Sequence, residues 1–279
     1  MTRPLTNTKG VTMAWIDAHI HLWTSDTESY PLAGGQTAAD LDPPDFTPEM
    51  YLRHARPSGI ERVVIVQTGY HQFDNSYATD AIKRFPDVFS VIGIVDETKE
   101  NVQEDMEALK AQGVRGFRIG VDYDGPQWDR LFKAAARTGQ AMCPITHPAG
   151  APAIKEMAAK HPDTTVVVDH MTRVGEMEPI NDAHIAQLTD IATLPNTNVK
   201  ISRLHALGDG PPHDDLIPMI KQVIDAFGPE RCMWGSDSPY QVFKETMEDS
   251  ISVVRDKLGL SESDRDQILR STAERLFFS

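Results

Sequence analysis

Eight short apolar runs punctuate the chain, each bounded by turn residues and followed by a longer stretch of helical period. They are WIDAHI (15–20), RVVIVQ (62–67), FSVIGIV (89–95), VRGFRI (114–119), AMCPIT (141–146), TVVVD (165–169), NVKIS (198–202) and CMWGS (232–236). Their hydrophobicity is continuous rather than alternating, as expected of strands buried on both faces in a parallel sheet wrapped by helices. Helix signals fall between them. Thr47-Pro48-Glu49 offers an N-cap, a first-turn proline and an early acid. Helical periodicity also covers Asn101 to Leu109, Gln127 to Ala136, Ala151 to Ala159, Asp182 to Leu194 and Asp214 to Phe227. Ser261-x-x-Asp264 resembles a capping box and opens a terminal extra helix running to Leu276.

Eight strand-plus-helix units in a chain of 279 residues predict an α/β fold of one domain, a (β/α)8 TIM barrel closed on itself. An open doubly wound sheet would call for a Gly-rich phosphate turn after the first strand, and His19-Ile20-His21 stands there instead. The barrel is expected over 13–279, with 1–12 a loose tail. Leu22 to Phe46, with Pro31, Gly34, Gly35, Pro43 and Pro44, is the one long irregular stretch, and its place after the first strand makes it a lid over the barrel mouth.

In such a barrel the C-terminal strand ends share one face, where catalytic groups collect. His19 and His21 close the first run. Residues two apart on a strand point the same way, so both imidazoles would face one ion, with Trp15 and Asp17 sharing their parity. His147 follows the fifth run, His170 the sixth and Asp237 the eighth. Each alone could be a hydrogen-bonded structural residue. Five such groups at the same ends of four strands are hard to place by accident. Histidines with a carboxylate suit a single divalent ion such as Zn²⁺, with His19, His21, His147 and Asp237 as ligands. Such an ion lowers the pKa of a water towards about 7 and polarises a carbonyl. Asp237 would take the water's proton; His170 would be a further ligand, a proton shuttle or an oxyanion donor. Of the other histidines, His54, His161, His184, His205 and His213 read as structural, and His71 stays open because its loop also faces the mouth.

The charge balance, 27 basic against 41 acidic residues and a net −14, opposes nucleic acid and anionic lipid as partners. Against that background Arg118, in an apolar strand, either pairs with an acid such as Asp122 or clamps a substrate carboxylate. Arg173 and Lys200, with Arg203, follow or sit on the sixth and seventh strands and would add positive charge to the mouth. The substrate class this suggests is a small anionic or polar oxygenated molecule. The two cysteines, Cys143 and Cys232, form no CxxC pair, and with no secretion signal or long apolar run a cytoplasmic protein is expected, alone or as a homo-oligomer.

The elements IDAHIHLW (16–23), YPL (30–32), VVIVQTG (63–69), VRGFRIG (114–120), VVVDHM (166–171), NVKIS (198–202) and FGPERCMWGSDSP (227–239) resemble the amidohydrolase superfamily, in its "amidohydrolase 2" branch. The opening is most similar to sugar-acid lactonases and pyrone dicarboxylate hydrolase. That resemblance implies opening of a cyclic ester, in some members without metal, with Asp237 activating water. ITHP around His147 instead resembles the zinc-binding decarboxylases of the same superfamily, which implies non-oxidative decarboxylation of an unsaturated or aromatic acid as the alternative. DHMTRVG and KISRLHALG depart from the lactonase patterns DHxGKP and KxSGL, so no single substrate carries over. A silent binding barrel is the third possibility, disfavoured by the intact five-residue set. Ile119-Gly120 offers no lysine for a carbamate-bridged metal pair, so one metal at most is expected.

Overall fold

The computed structural model describes residues 14–120 and 126–279. The expected tail at 1–12 and Asp122, weighed as a partner for Arg118, lie outside them. Eight parallel strands follow one another in sequence order around the sheet: β1 (Trp15–Ile20), β2 (Ile60–Val66), β3 (Phe89–Gly93), β4 (Val114–Ile119), β5 (Ala141–Pro144), β6 (Val166–Val168), β7 (Thr197–Ser202) and β8 (Cys232–Gly235). The ring closes just past β8, where Asp237 N donates to His19 O at 2.8 Å and His21 N to Ser238 O at 2.7 Å. The barrel expected from the sequence is therefore the fold, and closure is made by the very residues that carry the candidate chemistry.

Helices α1 (Pro48–Ala55), α2 (Ser76–Arg84), α3 (Val102–Ala111), α4 (Pro126–Thr138), α5 (Ala151–Lys160), α6 (Asp182–Ile191) and α7 (Ile217–Phe227) cover the outer wall, joined by α8 (Met247–Ser252), α9 (Glu262–Asp266) and α10 (Thr272–Phe277). Thr47 caps α1 by accepting from Met50 N, as its sequence predicts. Ser261 caps α9, and a π turn at Gln267–Ser271 carries the chain into α10, so the terminal helix begins where the capping signal placed it. Two packed layers result. Val63, Ile65, Phe117, Val199, Ile201 and Trp234 face the helices. Ile16, Ala18, Val64, Val66, Cys143, Val167 and Met233 fill the barrel interior together with Ala273 and Phe277 of α10. The C-terminal helix thus plugs the barrel floor.

The inward and outward sets overturn one expectation for β1. Ile16 and Ala18 point inward, and a register irregularity between Asp17 and Ile20 then brings His19 to the inner side as well. Trp15 and Asp17 face outward, where Asp17 accepts from Tyr51 Oη of α1 at 2.8 Å and from Ser236 N at 2.9 Å. An inserted residue resets the period-two parity, so His19 and His21 share a face but Trp15 and Asp17 do not. Gly235 makes room for the displaced histidine: a Cβ there would lie 2.8 Å from His19 Cβ.

Candidate active site

Three strand ends leave the sheet through left-handed backbone. His170, Met171, Thr172 and Arg173 after β6 have φ between 49° and 56°, Arg203 after β7 has φ 65°, and Asp237 after β8 has φ 67°. None is glycine, and such conformations cost roughly 1–2 kcal/mol per residue. Strain of this kind is held where the surroundings over-determine a side chain's direction. Here His170, Arg203 and Asp237 are turned towards one another over the barrel.

The centre is Asp237 Oδ1. His21 Nε2 lies 3.3 Å from it, and His19 Nε2 and His170 Nε2 each 3.7 Å. All four residues are buried, and among the described residues both His19 Nε2 and Asp237 Oδ1 lack a hydrogen-bond partner. Outer contacts orient the rings. His21 Nδ1 sits 2.7 Å from Val66 O, and because a carbonyl only accepts, Nδ1 carries the proton and Nε2 presents its lone pair inward. His170 Nδ1 pairs with Ser202 Oγ at 2.8 Å. His19 Nδ1 lies between Lys200 Nζ at 3.3 Å and Asp169 Oδ1 at 3.4 Å.

Burial, with the Lys200 ammonium adding to it, pushes His19 down to about 3. Burial also drives His170 well below the usual imidazole range. Both rings are neutral at neutral pH, as metal ligands must be. Burial raises the Asp237 carboxyl, but the imidazoles of His170, His21 and His19 outweigh it and hold the group well below the ordinary carboxylate range. Convergent Nε2 lone pairs, an orphaned carboxylate oxygen and fixed outer hydrogen bonds fit a divalent cation at His19, His21 and Asp237, with His170 adjacent.

Two expected site residues stand elsewhere. His147 does not join the cluster: β5 already ends at Pro144, and the ring engages Arg173 Nη1 from Nε2 at 3.3 Å, beside a neighbouring cavity. Lys200 does not reach the mouth as a substrate contact. Its inward place within β7 buries it completely under His19, 3.0 Å from Asp169 Oδ1. The Lys200 ammonium outweighs the cost of burial at Asp169 and keeps that carboxylate ionised.

Arg118 and Arg173 do line the mouth, a cavity of about 420 Å³ shared with His21, His170, Arg203 and Asp237. Among the described residues Arg118 has no carboxylate or hydrogen-bond partner. Arg203 is committed at both ends, to Asp237 Oδ2 at 2.7 Å and Glu176 Oε1 at 2.8 Å. Sequence reasoning missed three contributors. Asp169 was passed over beside His170, although a carboxylate ending an apolar run is the same signal that picked out Asp237. His205, read as structural, lies 3.8 Å from Asp237 Oδ2 on the cavity wall. Arg203 was seen only as added charge, because a contact between the loops after β7 and β8 leaves no local pattern. His71 is buried and meets Pro31 O of the lid at 3.2 Å.

The amidohydrolase family profile "Amidohydro_2" matches residues 16–278. The chain belongs to the amidohydrolase family. This amidohydrolase is 29% identical over 238 residues to L-fucono-1,5-lactonase of Burkholderia ambifaria, covering 80% of each chain. It is 27% identical over 235 residues to 4-sulfomuconolactone hydrolase of Rhizobium radiobacter, covering 81% of this chain and 76% of that one. Two solved structures share its fold. One, from Pseudomonas putida, carries the provisional name 2-pyrone-4,6-dicarboxylic acid hydrolase (TM-score 0.81, 22% identity, 96% of this chain and 98% of that one). The other is a Burkholderia multivorans amidohydrolase solved with zinc bound (TM-score 0.77, 19% identity, 95% and 99%). Among the described residues no helix is long and apolar enough to cross a membrane.

Proposed function

We propose that this amidohydrolase opens a lactone or related cyclic ester of a small, polar, carboxylated molecule by attack of water. The observation that carries the reading is Asp237 Oδ1, an ionised and unpartnered oxygen among three Nε2 atoms at the floor of an arginine-lined cavity. The lactone-hydrolysing relatives support the same class.

In this reading a water at Asp237 attacks the ring carbonyl and its proton passes to Oδ1. Arg203, bonded to Oδ2, leaves only Oδ1 free to accept it and fixes the carboxylate plane. The C–O ring bond then breaks, and the proton held by Asp237 goes to the departing alkoxide, giving a hydroxy acid. His170, its Nε2 3.7 Å from Asp237 Oδ1, is placed to donate to the carbonyl oxygen as charge develops there, once Ser202 Oγ donates to its Nδ1. Arg118, without a partner among the described residues, holds a carboxylate of the substrate. A divalent ion held by His19, His21 and Asp237 would supply Lewis-acid polarisation and an acidified water. The decarboxylase alternative rested on His147 as a ligand; that ring lies beside Arg173 instead, which favours the lactonase reading.

A panel of carboxylated lactones read with a pH indicator is expected to show stoichiometric acid release, without CO₂. Purified protein is expected to carry about one equivalent of zinc or manganese, and chelation to reduce turnover. CO₂ evolution from an unsaturated acid, with no lactone opened, would replace this reading by the decarboxylase.

A further inference from the structure

A second cavity, of about 410 Å³, adjoins the catalytic one and shares Thr68 and Tyr240 with it. The catalytic cavity alone is already of small-molecule size. The two differ sharply in chemistry. The first is walled by Arg118, Arg173, Arg203 and Lys244 around Asp237. Among the described residues the second has no charged side chain in its wall; Gly34 and Gln36 of the lid face Tyr70, Gln72 and Tyr240 across it.

The second cavity is built rather than incidental. Thr68, 6% exposed, stands where the two cavities meet, and its Oγ1 is buried without a hydrogen-bond partner among the described residues. A buried hydroxyl left so is unfavourable unless something arrives to pair with it. Both walls are fixed. The lid is pinned by Ala33 N donating to Tyr70 O at 2.7 Å, and the opposite loop by Gln67 Nε2 donating to Asp74 O at 2.5 Å. Buried Trp23 packs against Tyr70 and Tyr240, with ring centroids 5.1 Å and 6.1 Å away.

We infer that this second cavity is a subsite for a neutral, hydroxylated substituent of the substrate, of the kind a glycosyl group presents. The inference rests on the lactonase reading and extends it: the anionic head lies over Asp237 and the neutral group under the lid. Two carboxamides and a threonine hydroxyl both donate and accept, which matches sugar hydroxyls. Tyrosine faces pack against the apolar faces of a sugar ring. A charged substituent would find no counter-charge there and would lose its hydration.

The test is equilibrium binding by calorimetry of gluconate and of two acids that add a neutral hexose to it, lactobionate and melibionate. At least one hexosyl acid is expected to bind 10-fold or more tighter than gluconate. Gln72→Gly, chosen because Gln72 has φ 45° and glycine keeps that backbone, is expected to cut the advantage below about 3-fold while leaving gluconate affinity unchanged. Gln36→Ala tests the lid side in the same way, should the first variant fold poorly. Hexosyl acids that bind no tighter than gluconate, or an advantage that survives in both variants, would overturn the subsite. Because binding is read without turnover, failure of the lactonase reading shows separately, in the hydrolysis panel.

Discussion

At the scale of single residues, the site separates groups by what already holds them. Arg203 is tied to Asp237 and Glu176, and Arg173 to His147 and Glu176, whereas Arg118 reaches the cavity with no partner among the described residues. Arg118→Met is therefore expected to lower kcat/KM by about 2–4 kcal/mol of lost charge-assisted contact, chiefly through KM, with the melting temperature unchanged. Steady-state kinetics on the best lactone measures it, and wild-type values would return Arg118 to a structural role. Asp237, His19, His21, His170, Arg118 and Arg173 were all legible in the sequence as mouth residues, because the end of an apolar run locates a strand end. His147 and Lys200 were not. The first depends on where β5 stops and the second on which way a strand residue points, and both are set by packing against neighbours rather than by local pattern.

At the scale of elements, burial on both faces made all eight strands readable, since it leaves continuous apolar runs. Helix α2 was not anticipated. Its preceding Asn75 spends its side chain on Ile94, accepting from Ile94 N and donating to Ile94 O, instead of capping the helix, so the usual start signal is missing. The β1 irregularity escaped for a related reason: alternation presumes that no residue is inserted. Helix α10 was placed correctly, but its role as the barrel floor appears only in three dimensions, with Phe277 packed among Ile16, Val64 and Met233. Phe277→Ala empties that floor and is expected to cost about 3–5 kcal/mol. Urea unfolding would register it as a lowered midpoint; a change below about 1 kcal/mol would mean that the plug contributes little.

At the scale of the whole molecule, buried ionisable groups couple the site to stability. Burial pushes His19 down to about 3 and His205 to about 4, against 6.5 for an unperturbed imidazole. Burial pushes Asp17 up to about 6 from 3.8. His170 is driven well below the usual imidazole range too, so between pH 4 and 6 the unfolded chain binds three imidazole protons that the folded chain refuses, while the folded chain keeps one on Asp17. The balance is two protons in favour of the unfolded state, so stability falls on acidification by about 2.7 kcal/mol per pH unit. Asp169 and Asp237, held ionised in the fold, add in the same direction at lower pH. Thermal midpoints of chelator-treated protein at pH 6 and pH 4.5 measure this; a midpoint that rises on acidification would contradict neutral burial of the three histidines.

Asp237 joins every scale, closing the barrel through its backbone and, in the proposed mechanism, activating the reacting water through Oδ1. Asp237→Asn preserves volume and hydrogen bonding but cannot take a proton at neutral pH. The most direct test is single-turnover and steady-state hydrolysis of the best lactone by this variant, with metal content measured in parallel. With metal retained, kcat is expected to fall by about 10²–10⁴-fold. Retention of more than about a tenth of the wild-type kcat would contradict Asp237 as the base.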